Sequence, residues 1–560
     1  MTRVFSHHAR KFYERFTVSF HHRHLFTTLF ALCSAQLCFA QEADVAASIA
    51  RMRADVKHLA SDQLQGRGVG TRGEELTTDY IAEAFQKAGL KPMGDDGGWF
   101  QKVPLVMVKT QPDATLQYIK DDKAQSLRLE DEFVGVTHLQ QSVDFEGEAI
   151  FVGHGISAPE FGWDDYQGVD VKDKVVILFT NEPPSDDAAF FKGKALTYFG
   201  RWTYKFEEAT RRGAKAAFII HTTESAGYPY GVVRTVKGAQ LIRKPGEPDL
   251  AFAGWLSSAA GEKLLANAGL TVQEALKQAD TKGFKPISLG IRLKGHIPTS
   301  VQKIISRNVI GVIEGSDPNL KSEAVLFTAH WDHLGTSRSS AGVEEIYSGA
   351  QDNATGTAIL MELARTWGKL NTKPKRSAIF LATTAEESGL LGAVYFAGHP
   401  TIPLGKIAAN FNFDMLSPLG EPESIVLNGA ERTTLWPMMQ ETAKSQGLEL
   451  EPDPRAHLGT IYRSDHFALA RGGVPAFSVA RGVKVKGASA DAIRQRMVEF
   501  IAKAYHTPQD KYQEDWDFAG FPVLIRFAME AAQKVANNSK LPTWNEGDEF
   551  RPAREKSGVK

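Results

Sequence analysis

Ala324-Val325-Leu326-Phe327-Thr328-Ala329-His330-Trp331-Asp332-His333 runs from an apolar segment straight into a polar cluster. An apolar run of this length, without alternation, reads as a strand buried on both faces. The pattern then repeats. Strand candidates at 308–313, 377–383, 407–413, 424–427 and 476–479 alternate with helix candidates at 355–369, 389–397, 433–446, 489–505 and 517–537. This alternation predicts an α/β fold, a mostly parallel mixed sheet covered by helices on both faces. Sheets of this kind carry their sites beyond the carboxyl ends of the strands.

Metal-ligand residue types stand at those ends, in order. His330-Trp331-Asp332-His333 follows the first run, and Gly349-Ala350-Gln351-Asp352-Asn353-Ala354-Thr355-Gly356 directly precedes a helix. Ala385-Glu386-Glu387-Ser388-Gly389 follows 377–383, Asp414 follows 407–413, and Tyr505-His506-Thr507-Pro508-Gln509-Asp510 follows 489–505. Each has a plainer reading alone. Asp352 suits a helix N-cap, the paired glutamates a solvated surface, Asp414 a turn, and His506 a helix end. Together, two imidazoles with three or four carboxylates make a donor set suited to zinc. Consecutive side chains point in different directions, so one of Glu386 and Glu387 can hold a metal while the other faces a water molecule. Asp352, on its Gly-rich loop, is the candidate to bridge a metal pair.

The rest of the chain bounds this reading. Lys and Arg number 65 against 66 Asp and Glu, a net charge of -1, which gives no global reason to bind nucleic acid or an anionic membrane. A basic stretch, an apolar run from Leu25 and small residues at Cys38 and Ala40 read as a cleaved signal peptide over 1–40. The expected product is exported, periplasmic or secreted, and without a membrane anchor after cleavage. Both cysteines, Cys33 and Cys38, lie in that segment. The mature chain then has no thiolate to act as ligand or nucleophile.

Residues 41–107 read as helical. Gly68-Val69-Gly70-Thr71-Arg72-Gly73 matches a dinucleotide-binding spacing, but a helix rather than a strand precedes it, so a turn between helices is expected. Residues 108–297 read as a β-rich module, with strands at 149–152, 175–179 and 216–220 and one helix at 203–212. Residues 298–545 carry the alternating pattern, and 546–560 form a polar tail expected to be loose.

The ordered set Ser306-Arg307-Asn308-Val309-Ile310-Gly311, His330-Trp331-Asp332, Asp352-Asn353-Ala354-Thr355-Gly356, Glu386-Glu387, Asp414 and His506-Thr507-Pro508-Gln509-Asp510 resembles the co-catalytic two-zinc aminopeptidases, relatives of glutamate carboxypeptidase and the transferrin receptor. The resemblance implies two zinc ions per chain and a peptide substrate. It implies that Asp352 bridges the metals, that His330 and Asp414 complete one site, and that Glu387 and His506 complete the other. Glu386 would be the general base and then the acid, with Asp332 orienting His330. His333 matches no ligand position and is expected to be a loop residue. Val171-Lys172-Asp173-Lys174-Val175-Val176-Ile177-Leu178 and the stretch Glu207–Ile219 resemble a protease-associated domain, inserted so that 41–107 and 298–545 form one catalytic domain.

Ser464-Asp465-His466 invites a catalytic-triad reading, but sequence neighbours rarely form one and no GxSxG precedes it. Tyr462, Asp465 and His466 are expected to line or support the pocket instead. The alternative activity within the same superfamily is a carboxypeptidase or dipeptidase, which needs a cation for the substrate carboxylate. Arg463 and Arg471 are the candidates for it. A binding protein without activity, as the transferrin receptor illustrates, would have lost ligands that are all present here. The sequence leaves open the oligomeric state and the side chain preferred at the first substrate position.

Overall fold

The computed structural model describes residues 44–235, 238–338 and 342–559. The signal-peptide reading and both cysteines lie outside the described residues. Residues 44–54 fall in a small unit of their own and are helical. The larger unit begins at Asp55 and carries two large sheets.

The first sheet has ten strands. Its centre is the run read first. Ala324–His330 pairs in parallel with Ser377–Thr383, Ala324 opposite Ser377 and His330 opposite Thr383. On its other side it pairs in parallel with Ile407–Asn412, which pairs in parallel with Ala476–Arg481. These four strands are the parallel core. Outward from Ser377–Thr383 the pairing turns antiparallel, through Thr299–Ile313 to Phe100–Thr110. On the opposite flank, Ser424–Asn428 pairs antiparallel with Ala476–Arg481, and Glu449–Glu451 closes the edge.

Both faces of the core are covered, as non-alternating strands require. Phe327 stacks on Phe380 with ring centroids 5.0 Å apart, and Phe411 lies 5.6 Å from Phe327. Phe85 from helix Arg72–Lys87 and Trp367 from helix Thr355–Gly368 pack against this aromatic layer. Leu326 and Ile379 point the other way, into a cluster with Phe396 of helix Leu391–Gly398 and Phe467 of helix His466–Arg471. Each fully buried side chain of this size contributes about 1.5–3 kcal/mol. The strands are thereby fixed, and so are the residues at their ends.

The second sheet has eight strands between residues 115 and 297. Its centre is again parallel: Val143–Phe151, Val175–Phe179, Ala216–Ile220 and Phe252–Leu256. Val175, Ile177 and Phe179 enter one apolar cluster, while Val176 and Leu178 enter the cluster on the opposite face. The two sheets are interlocked. Phe100–Thr110 runs past 107 as a strand of the first sheet. Ala239–Leu241 leaves the second region to pair antiparallel with residues 105–107 of that strand.

The segment 546–560, expected to be loose, is docked. Arg551–Lys556 is helical, and Arg554 is buried, donating to the carbonyl oxygens of Pro542 and Leu404. Polar composition concealed this, because a guanidinium can be buried when carbonyl oxygens receive it. Among the described residues no helix is long and apolar enough to cross a membrane.

Candidate metal centre

The carboxyl ends of Ala324–His330 and Ser377–Thr383 lie side by side, so His330 and the Glu386-Glu387 turn project into one space. Ala385 and Leu390 adopt positive φ around that turn. The Glu386 N–H donates to Asp332 Oδ1 at 3.1 Å, which ties one strand end to the other. The Asp352 loop is held from two sides. The N–H groups of Gln351 and Asp352 donate to the two oxygens of Asp510 at 2.9 and 3.0 Å. Asn353 Nδ2 donates to the Phe413 carbonyl, and Asn353 Oδ1 accepts the Met415 N–H, which joins this loop to the one bearing Asp414. Gly356 is required here: a Cβ would stand 2.3 Å from the Phe413 carbonyl oxygen.

Asp352 lies between the two imidazoles. Its Oδ1 is 3.4 Å from His330 Nε2, and its Oδ2 is 3.3 Å from His506 Nε2. His330 Nε2 also meets Asp414 Oδ1 at 3.1 Å, and His506 Nε2 meets Glu387 Oε2 at 2.9 Å. Asp352 makes no side-chain cap to the helix that follows. Among the described residues, two groups could hold a metal: His330, Asp352 and Glu387, and His330, Glu386 and Asp414, each with ligand atoms within 4.8 Å of one another. Oxygen and imidazole donors at this spacing, buried or half-buried, fit a divalent ion such as zinc.

The electrostatics separate the adjacent glutamates. Burial drives the Glu386 carboxyl well above the ordinary range, offset in part by His330 and reinforced by Asp414 and Glu387. Burial also acts upward on Glu387, but His506 and His333 outweigh it and bring the group down to about 2. Asp352 is held well below its ordinary value, because its bonds to His330 and His506 exceed the effect of burial. His506 is raised to about 10: Glu387 and Asp352 overcome the burial that would keep it neutral. One glutamate therefore keeps its charge and its neighbour readily takes a proton.

Three residues have surroundings that the sequence did not indicate. His333 is buried, with Nδ1 2.5 Å from Glu387 Oε1, so it braces that carboxylate rather than standing in a free loop. Arg67, directly before the Gly68–Gly73 stretch, is fully buried. It donates to the carbonyl oxygens of Trp331, Leu59, Ser348 and Gly349, clamping the segments before and after the centre. Asp510 lies in a stretch singled out for His506, and the backbone bonds it receives were not foreseen. Asp332 is close to its expected place, but His330 Nδ1 is nearer the Asp332 backbone oxygen, at 3.2 Å, than its carboxylate, at 3.9 Å.

The residues of the discounted triad are engaged elsewhere. Asn412 Nδ2 donates to Ser464 Oγ at 2.8 Å and lies 3.4 Å from His466 Nδ1, while Thr383 donates to Asp465. Burial lowers His466 to about 3, so it is neutral. Both candidate arginines line the cleft; Arg471 is paired with Glu207 at 3.3 Å, and Arg463 donates to the carbonyl oxygens of Leu458 and Ala226.

Residues 308–520 match the model of Peptidase family M28. Aminopeptidase YwaD of Bacillus subtilis (strain 168) is 27% identical over 215 residues, 37% of this chain and 40% of its own length. A probable zinc metalloprotease of Pyrenophora tritici-repentis (strain Pt-1C-BFP) is 41% identical over 120 residues, 21% of this chain and 23% of its own. This chain thus spans two-fifths or less of the length of these curated relatives. An aminopeptidase from Aneurinibacillus sp. strain AM-1 aligns in structure over 89% of this chain and 96% of its own, with a TM-score of 0.51 and 17% identity. That likeness is one of fold.

Proposed function

We propose that this chain, whose residues 308–520 belong to peptidase family M28, is an exported zinc aminopeptidase with a two-metal centre. The observation that carries the proposal is the place of Asp352, one oxygen toward His330 and the other toward His506. A single carboxylate facing two imidazoles, each with a further carboxylate beside it, suits a bridged pair of ions. Asp352, His330 and Asp414 would hold one ion, and Asp352, Glu387 and His506 the other. When bound, such a pair supplies Lewis-acid polarisation of a peptide carbonyl and acidifies a water molecule.

The remaining chemistry falls to the chain itself. Glu386 takes a proton from the attacking water as the new carbon–oxygen bond forms at the carbonyl carbon. It returns that proton to the amine nitrogen as the carbon–nitrogen bond breaks. A carboxyl group whose proton affinity is raised by burial and by Asp414 is suited to hold a proton between these steps. Asp332 keeps the Glu386 backbone in place, and His333 restrains Glu387. Asp510 fixes the Asp352 loop.

The test is hydrolysis of a panel of amino-acid p-nitroanilides by the chain from Gln41, wild type beside Glu386→Gln, with metal content measured on both. Activity that requires metal, about two zinc ions per chain, and loss of turnover in the variant with metal retained are expected. Turnover undiminished in Glu386→Gln, or a folded wild type that binds no metal, would overturn the proposal.

A further inference from the structure

Glu74 is a buried carboxylate outside the proposed ligand set. It stands in the first turn of helix Arg72–Lys87, at the third helical position. A glutamate there ordinarily reaches back to the N–H of the residue that caps the helix, here Thr71. Glu74 turns inward instead. Its Oε2 accepts the Gly70 N–H at 2.6 Å, and its Oε1 accepts the Ser306 hydroxyl at 2.9 Å. Ser306 Oγ lies 2.6 Å from Thr384 Oγ1, and both residues are fully buried. With Glu74 ionised, Ser306 gives its one proton to the carboxylate, so Thr384 donates to Ser306. The chain of bonds ends two residues before Glu386.

The backbone at that point explains the arrangement. The ladder between Thr299–Ile313 and Ser377–Thr383 ends with Val309 opposite Ala382. Beyond it, side chains take over from the backbone. Asn308 Oδ1 accepts the Thr384 N–H at 3.0 Å, and Ser306 meets the Thr384 hydroxyl. The next residue, Ala385, has φ 51. A residue other than glycine is strained in this left-handed region and keeps the conformation only where its surroundings hold it. Ala385 starts the turn that presents Glu386, and its carbonyl oxygen accepts the Leu391 N–H at 3.1 Å. Its side chain shares an apolar cluster with Val69, the neighbour of Gly70. Glu74 therefore grips both the residue before the strained position and the loop packed against it.

We propose that Glu74, acting through Ser306 and Thr384, is a positioning residue that fixes the turn at Ala385 and so aims Glu386 at the water it deprotonates. The inference rests on the peptidase reading above. It gives the segment Gly68–Gly73, which binds no dinucleotide in that reading, a part in the reaction: its Gly70 N–H orients the carboxylate at the head of the chain.

The experiment compares wild type, Glu74→Met, Glu74→Gln and Thr384→Val on leucine p-nitroanilide, with zinc content measured on each. Glu74→Met removes both acceptor oxygens, Glu74→Gln keeps one, and Thr384→Val removes only the hydroxyl at the far end of the chain. In Glu74→Met and Thr384→Val, kcat is expected to fall about 10–100-fold, with KM close to wild type and zinc retained. Glu74→Gln is expected to lie between. The solvent deuterium isotope effect on kcat is expected to rise, because a displaced base slows proton transfer. A smaller folded fraction would lower kcat and leave the isotope effect where it was. Amide hydrogen exchange reads the turn directly: residues 384–391 are expected to exchange faster in the variants, with Ala324–His330 unchanged. Should Glu74→Met not fold, Thr384→Val carries the same test. Thr384→Val with wild-type kcat, or with lower kcat but an unchanged isotope effect and unchanged exchange over 384–391, would overturn the inference and leave the peptidase reading standing. A wild type inert on the p-nitroanilide would overturn that reading instead. Exchange over 384–391 then decides the positioning of the turn: faster exchange in Thr384→Val and Glu74→Gln upholds it, and equal exchange rejects it.

Discussion

Asp510 Oδ2 accepts the backbone N–H of Asp352 at 3.0 Å, so the carboxylate proposed to bridge two metals is positioned by a second carboxylate outside the proposed ligand set. The other Asp510 oxygen holds Gln351. Asp510→Ala releases both bonds and frees the loop. Zinc affinity is expected to fall by about 10–100-fold, the range found for residues that orient metal ligands. Asp510→Asn, which keeps one acceptor oxygen, is expected to fall between. Competition with a chromogenic chelator measures both.

Arg67 ties Trp331, Leu59, Ser348 and Gly349 together through their carbonyl oxygens. Arg67→Met leaves four acceptors without their donor. Each buried group left unmatched costs about 1–3 kcal/mol, and partial relaxation of the loops reduces the sum. A loss of stability above roughly 3 kcal/mol is expected. The midpoint of urea unfolding, with an unchanged slope, is the readout.

Metal removal should be visible in stability as well as in turnover. Without a cation, Asp352, Glu386, Glu387 and Asp414 have only the two imidazoles of His330 and His506 gathered among them. Metal binding to the folded state alone adds about 2.7 kcal/mol per site at a hundredfold excess over Kd. Dialysis against a chelator is therefore expected to lower the melting temperature, and added zinc to restore it. A calorimetric scan that does not change between the two states would contradict the ligand set.

His466 gives a pH dependence of defined sign. Its ordinary value is 6.5, and burial lowers it to about 3 in the folded protein. Above pH 6.5 the group is neutral in both states and costs nothing. As pH falls from 6.5 toward 3, the unfolded chain takes up a proton that the folded chain refuses, and stability declines by up to about 1.4 kcal/mol per pH unit. Plots of unfolding free energy against pH for wild type and His466→Gln are expected to diverge in slope below pH 6.5 and run parallel above it.

The legible parts of the fold are those where burial leaves no choice of residue. Ala324–His330, Ser377–Thr383 and Ile407–Asn412 are buried along their whole length, so their composition announced them. Thr299–Ile313 is half solvated at its start, with Gln302 and Lys303 exposed, and only its apolar end from 308 was read as a strand. Helices Ser258–Leu265 and Val272–Ala279 were hidden in a region that read as strands. The candidate site was legible because each of its residues adjoins a strand or helix boundary. His333, Arg67 and Asp510 were not, because, Leu59 apart, the partners named above lie 54 to 282 residues away and local spacing contains no such information.

Residues 239–241 form a strand on the edge of the sheet that bears the metal centre, although the chain on both sides of them builds the other sheet. Sequence-based boundaries would suggest that the second sheet can be excised or exchanged between relatives like a cassette. The crossed strand forbids it. Removing residues 108–297 would strip the backbone of 105–107 of its neighbour on one side and leave an open edge that invites pairing with another molecule. Recombination, whether by evolution or in the laboratory, must therefore carry Phe100–Thr110 and Ala239–Leu241 together.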